Sequence, residues 1–337
     1  MNIRNAVVTG GLGFIGSHLA EELASRGSNV TVLDNESTGR RANLGSSRSH
    51  SKIRIVNVDV ADGSAVQPHL IGADCVFHLA GLADLIPSIE KPADYFHSNV
   101  AGTLGILEAA RNADVKRFVY TASSSCYGIP TVFPTPEDAP IRPEHPYALT
   151  KYLGEHLVLH WGKVYKLRPV SLRLFNVYGP RVRTNGGYGA VLGVFLAQKL
   201  HRHPLTIVGD GAQTRDFTHV LDVVNALITA AESDVDGEVF NVGSGRSYPV
   251  HYLADLIGGP KLHMPKRPGE PDCTFADISK IRKVLNWSPQ ISLEEGIGQL
   301  LKRLEDWKDA PLWTPKRIEE ATATWFQYLS PAAQEVS

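Results

Sequence analysis

Short apolar runs alternate with amphipathic stretches through the first half of the chain. Asn5–Thr9, Asn29–Leu33, Ile53–Val58, Cys75–Leu79, Arg117–Thr121 and Ser171–Phe175 read as strands. Between them, Gly16–Arg26, Asn99–Asn112 and a stretch opened by Tyr147 carry apolar residues at helical spacing. Such alternation predicts an α/β fold with a parallel, doubly wound sheet. After about Gly179 the pattern loosens, and Pro, Gly and Arg crowd Gly179–Gly189. Val191–His201 and Asp222–Ala231 read as helices and Glu238–Val242 as a strand, with short helices and proline-rich loops from Tyr248 onward. The expected division is a first domain over residues 1–178, with 222–245 packing back on it. A smaller mixed α/β lobe, 179–221 and 246–337, closes the site. The last ten or so residues read as frayed.

The chain has 337 residues, enough for a large core and two packed lobes. Its formal net charge of -1 shows no basic excess, so no nucleic-acid partner is expected. Cys75, Cys126 and Cys273 form no metal-ligand spacing, and no metal is expected. Such a sparse, odd set suits a reducing compartment. The chain opens directly on its first strand, which predicts no signal peptide, and no apolar run approaches the ~20 residues of a membrane span. The expected location is the cytoplasm, with no membrane partner.

Gly10, Gly13 and Gly16 recur at every third position between the first strand and the first helix. Glycine permits a tight turn there and lets backbone approach a pyrophosphate at the helix N-terminus. Asp34, at the end of the second strand, can accept hydrogen bonds from both ribose hydroxyls and repels a 2′-phosphate, which favours NAD. Arg40 and Arg41 nearby weaken that preference. Asp59, at the end of the third strand, either bonds an adenine amino group or caps a helix. Leu79-Ala80-Gly81 ends the fourth strand with small residues, either against a cofactor or simply close-packed.

Ser123-Ser124-Ser125 follows the fifth strand, and Tyr147-Ala-Leu-Thr-Lys151 comes next. A free tyrosine, with a pKa of about 10, is a poor base at neutral pH. A lysine one helical turn away shares its face and favours the phenolate, as would a bound nicotinamide cation. Tyr147 could then take a hydroxyl proton while hydride leaves the same carbon, with Ser123 holding that hydroxyl. The pattern YxxxK is common; its value comes from following the glycine loop, the fifth strand and the serines.

Together these residues resemble the extended short-chain dehydrogenase/reductase family, in particular nucleotide-sugar epimerases and dehydratases of the UDP-galactose 4-epimerase type. The resemblance runs from about Val7 to Pro289. It includes Thr9–Gly16, Asp34–Gly39, Asp59-Val60, His78–Gly81, Asn99–Thr103, Ser123–Gly128, Tyr147–Lys151, Arg173–Pro180, Gly209–Phe217, Asn241–Gly245 and Arg267–Glu270. It implies a Rossmann-type sheet with a smaller substrate lobe. It also implies an NAD site drawn from Gly10, Gly13, Phe14, Ile15, Gly16, Asp34, Asn35, Ser37, Thr38, Gly39, Asp59, Val60, Leu79, Ala80, Gly81, Ala83 and Asn99. Ser123, Tyr147 and Lys151 would be catalytic, and Phe175 would lie near the nicotinamide. Asn176, Arg215 and Arg267 would hold a sugar nucleotide's diphosphate, with Ser123, Ser124, Glu270 and Thr274 also facing substrate. Read without the family, Arg215 is a surface ion pair with Asp216, and Arg267 a solvated loop charge.

Within that family the serine run discriminates. The 4,6-dehydratases carry an Asp-Glu pair where this chain has Ser124 and Ser125, and serine cannot readily do that acid/base work. Sugar-acid decarboxylases usually carry Glu at the position of Ser125. Family 3,5-epimerases place a reactive Cys two residues before Tyr127, whereas Cys126 is one before it, which favours a core cysteine. The implied reaction is therefore transient oxidation at C4 and hydride return to the opposite face. The alternatives are a 4-dehydrogenase outcome, another family reaction (a dehydratase or a 3,5-epimerase/reductase) and a non-catalytic NAD-binding sensor. Thr274, where a bulky Tyr often restricts the pocket, would admit a 2-N-acetyl sugar or be an ordinary loop residue. Glu270 replaces a common family Asp that would contact the nucleotide ribose. Tyr188–Val194 lacks the proline expected where UDP-sugar members meet the base, so GDP- and CDP-sugars stand beside UDP-sugars. The resemblance also implies a homodimer built from helices Asn99–Asn112 and Tyr147–Trp161. There Leu104, Leu107, Leu153 and Leu157 either meet a second copy or pack on the sheet.

Overall fold

The computed structural model describes residues 3–45, 51–182 and 191–330. Part of the Gly179–Gly189 stretch, the start of Tyr188–Val194 and the C-terminal tail lie outside the described residues. Seven strands form one sheet: β1 Asn5–Thr9, β2 Asn29–Asp34, β3 Ile53–Asn57, β4 Cys75–His78, β5 Arg117–Ser123, β6 Arg168–Leu174 and β7 Glu238–Val242. Their spatial order is β7-β6-β5-β4-β1-β2-β3, and every pairing is parallel. Connections reverse direction between β1 and β4, which opens a crevice at the carboxyl ends of those strands.

Side-chain alternation along the strands divides the core into two layers. Ala6, Val8, Phe77 and Val119 face one layer with helices α1 (Phe14–Ser25) and α5 (Val220–Glu232). Val7, Val76, Phe118 and Tyr120 face the other, with α2 (Gly102–Asn112) and Val158 of α3 (Pro146–Tyr165). The late segment carrying α5 and β7 thus returns to the first sheet: α5 packs on α1, and β7 extends the sheet beyond β6.

A second core gathers Phe195 of α4 (Val191–Leu200), Leu253 of α6 (Val250–Ile257) and Ile297 and Leu300 of α7 (Leu293–Leu301). Trp307 and Trp325 join it, the latter from α8 (Pro315–Leu329). Leu205–Val208 and Lys261–Met264 pair in parallel here, where the sequence pattern suggested only loops and short helices. Lys261–Met264 is almost wholly exposed, so no apolar alternation marks it.

The expected helix Asn99–Asn112 begins later, at Gly102. Asn99 lies in a π-helical turn, His97–Ala101, which follows a short helix Pro92–Phe96. Widened turns of this kind recur at functional sites. Here the turn aims the Asn99 side chain in two directions: its Oδ1 accepts from Leu82 N at 2.8 Å, and its Nδ2 donates to Thr150 Oγ1 at 3.0 Å.

Candidate active site

The glycine loop turns sharply after β1. Gly10 has φ +67°, and a Cβ there would stand 2.8 Å from the Ala80 nitrogen, so this position requires glycine. A Cβ on Gly16 would overlap the Gly10 carbonyl, so α1 can approach the loop only with glycine at that turn. Gly13 is the N-cap of α1 and carries no capping side chain, and no acid occupies the first turn, so the amides beside Phe14 and Ile15 suit a pyrophosphate. Gly16→Ala is expected to lose bound dinucleotide at least tenfold, read as the ultraviolet absorbance ratio of the purified protein and by calorimetry with NAD.

Asp34 closes this cradle. Its carboxylate accepts from Leu12 N at 2.9 Å and Glu36 N at 2.8 Å, and burial raises its pKa despite those bonds. Gly39 lies against both of its oxygens. Arg41 is held by Glu36 at 2.8 Å, which engages one of the arginines that would otherwise suit a 2′-phosphate. Ser37 donates its amide to Asn35 Oδ1, while Thr38 is half-buried in the same loop. Asp59 accepts from Asn35 Nδ2 at 3.3 Å and from Ala61 N at 2.9 Å, while Asp62 caps the following helix. Val60 is buried under the π-helical turn beside Gly102.

Across the crevice, Thr9 Oγ1 accepts from the amides of Leu79 and Ala80, and His78 bridges Thr9 at 2.7 Å to Thr103 at 3.0 Å. Burial, with Lys151's charge, pulls His78 down to about 3, so its ring is neutral and fixes the ends of β1 and β4. A Cβ on Gly81 would come within 4.0 Å of Lys151 Nζ, which places this loop beside the lysine. Ala83 is exposed in the same loop.

Ser123 is the last residue of β5, and its side chain lies near enough to the Tyr147 phenol to oppose the effect of burial on it. Tyr147 and Lys151 stand one turn apart on the first turns of α3. Burial raises the Tyr147 phenol, opposed by Ser123, and burial pulls Lys151 down to about 7. Lys151 Nζ sits 4.4 Å from the centre of the Tyr120 ring, and Tyr120's hydroxyl donates to the Lys151 carbonyl. Ser124 is half-buried beside Ser123. Cys126 is buried in the core, where burial pushes its thiol to about 12, so it is not a ready nucleophile. Phe175 is also buried, its ring 6.2 Å from Tyr127, and backs the site from inside.

Beyond the sheet, residues distant in the chain come together. Asn176 Nδ2 donates to Thr274 Oγ1 at 2.8 Å, and Thr274 also accepts from Asp216 N. Arg215 does not pair with Asp216. Asp216 is turned inward to Ser244, Gly245 and Ala276, and Arg215 pairs with Glu270 at 2.8 Å. Arg267 is likewise no solvated loop charge: its guanidinium is mostly buried, 3.8 Å from Glu270 and over the Trp325 ring. Trp325 donates to the Pro268 carbonyl at 2.6 Å. Residues beyond 300 carried no usable motif, so this support from α8 was not legible in the sequence.

Among the described residues no group of His, Cys, Asp or Glu could hold a metal ion, and no helix is long and apolar enough to cross a membrane. The sequence model of the NAD dependent epimerase/dehydratase family matches residues 6–243. The chain is 36% identical over 310 residues to UDP-glucose 4-epimerase of Mycolicibacterium smegmatis, covering 88% of this chain and 97% of that one. It is 35% identical to UDP-glucuronic acid decarboxylase 1 of Arabidopsis thaliana, covering 88% of this chain and 68% of the relative. Among solved structures, UDP-N-acetylglucosamine 4-epimerase of Methanobrevibacter ruminantium superimposes with a TM-score of 0.84 at 33% identity, covering 90% of this chain and all of that one. With its glycine cradle, Asp34, and the Ser123–Tyr147–Lys151 constellation at the sheet's carboxyl edge, the chain belongs to the NAD dependent epimerase/dehydratase family.

Proposed function

We propose that this protein is an NAD-dependent nucleotide-sugar 4-epimerase, with a UDP-sugar as substrate. The observation that carries the reading is the placement of Ser123, at the end of β5, beside the buried Tyr147 phenol, with no acid at positions 124 and 125. That site can move one proton at one carbon, and it lacks the second acid/base pair that elimination or decarboxylation would use. NAD, when bound, supplies hydride exchange at C4. Ser123 orients the C4 hydroxyl, and Tyr147 takes its proton and later returns it. Lys151 lends positive charge to the phenolate. Asn176, Arg215 and Arg267 grip the diphosphate while the 4-keto sugar turns over, and Thr274 leaves room for a 2-N-acetyl group.

In this reading residues 1–178 with 222–245 form the NAD lobe, and 179–221 with 246–337 the nucleotide-sugar lobe. The return of α5 and β7 to the sheet supports that division. We further assign a homodimer through α2 and α3, supported by exposed Leu104 and Leu149 on those helices and Phe96 beside them. Leu107 is buried against the sheet and takes no part in it, and Leu153 and Leu157 are half-buried. Three unpaired cysteines accord with a cytoplasmic location.

The test is NMR of the purified protein against UDP-, GDP- and CDP-sugars, with no cofactor added. The C4 epimer is expected with a UDP-sugar and without NADH build-up. A 4-keto product or accumulating NADH would overturn the reading in favour of a dehydrogenase or dehydratase.

A further inference from the structure

Tyr147 occupies a precarious place. It lies in the first turn of α3, where amides lack intrahelical partners and helices fray. Two rings bracket it. The His145 imidazole is nearly parallel to the phenol, 8° between planes, with centroids 5.9 Å apart. Tyr95 meets it edge-on at 6.4 Å and 78°, and is itself pinned by a 2.5 Å bond from its hydroxyl to the Asp84 carbonyl. Both separations fall in the range of favourable offset and edge-to-face aromatic pairs.

His145 is also the N-cap of α3, its Nδ1 accepting from Ala148 N at 3.3 Å. Capping alone does not call for histidine, since Ser, Thr, Asp and Asn perform that role better. A cation at a helix N-terminus would also be unfavourable. Burial pulls His145 down to about 4, so near neutral pH it is uncharged, with its proton on Nε2. What the imidazole adds beyond the cap is a flat face against the phenol.

We propose that His145 is a positioning residue for the reaction, its ring holding Tyr147 against Tyr95 so that the phenol oxygen stays aimed at Ser123. The proposal rests on Tyr147 being the proton acceptor. A misplaced acceptor costs turnover more than binding, because proton transfer depends steeply on geometry whereas the diphosphate grip lies in the other lobe.

Three substitutions separate cap from ring. His145→Asn keeps a capping oxygen and removes the ring, His145→Phe keeps a ring and removes the cap, and His145→Ala removes both. In the Asn variant kcat is expected to fall about tenfold with KM within about twofold and Tm near wild type. In the Phe variant Tm is expected to fall while most of the turnover remains. Ring-labelled tyrosine NMR gives a second reading that needs no sugar. The Tyr147 signal, assigned by its loss in Tyr147→Phe, should lose its ring-current shift in the Asn variant and keep one in the Phe variant. Wild-type turnover with an unshifted Tyr147 signal in His145→Asn would overturn the proposal. So would a Phe variant as impaired in turnover as the Ala variant. If the wild-type protein epimerises no sugar tested, the functional reading fails, while the NMR comparison still decides whether His145 holds the Tyr147 ring.

Discussion

Tyr147→Phe is expected to lower C4 epimerisation by about 10³-fold while the KM for the nucleotide sugar stays within about threefold. The substitution removes only the hydroxyl beside Ser123 and leaves the ring in place between His145 and Tyr95. Arg215 and Arg267, to which the proposed function gives the diphosphate, are paired with Glu270 and are untouched. The loss therefore falls on the proton-transfer step, not on binding. Equilibrium NMR of the epimer ratio over time, with a retained-NAD control from absorbance, measures it. A variant retaining a tenth or more of the wild-type rate would remove Tyr147 from the chemistry.

Arg173→Met is expected to destabilise the fold by about 3–5 kcal/mol, because it strands a carboxylate inside the protein. Glu155 is 1% exposed, two turns after Tyr147 on α3, and Arg173 Nη2 meets its Oε1 at 2.6 Å. Ser171 donates to the same carboxylate at 2.8 Å, and Arg173 also donates to the Tyr127 hydroxyl and the Glu137 carbonyl. The network thus ties α3, the helix that carries Tyr147 and Lys151, to β6 and the turn after β5. Glu155→Leu combined with Arg173→Met is expected to recover much of the single-variant loss, since an apolar pair leaves no buried charge. Urea unfolding of the two single variants and the double variant, at saturating NAD, checks this. Additive losses would show that the two side chains act independently.

Elements whose residues announce their own burial were legible in the sequence. β1, β7 and the glycine loop matched their expected positions because apolar alternation and glycine spacing are local signals. β6 began earlier than expected, at Arg168, because Pro169 inside the run reads as a break, although its carbonyl accepts from Gly237 N. Lys261–Met264 was missed because backbone bonding to Leu205–Val208, not side-chain burial, makes it a strand. At the site, Tyr147 and Lys151 were visible as a helical pair. The placement of Asn99 depended on a π-helical turn that no residue pattern encodes, and the pairing of Arg215 with Glu270 joined segments far apart in the chain. His145 escaped notice for a different reason: its role depends on which way a ring faces, and spacing carries no such information.

The return of β7 to the edge of β6 has a consequence for how the chain is made. Until residue 242 is available, β6 is an unpaired sheet edge, and Phe240 is missing from the core layer that it shares with α1 and α5. A nascent chain ending anywhere between β6 and β7 therefore presents an open, apolar-flanked strand while synthesis continues. The seven-stranded sheet, though begun at the N-terminus, cannot be finished first: its last strand waits on translation of the residues between β6 and β7. That open edge is where a growing chain of this topology offers a site for mispairing.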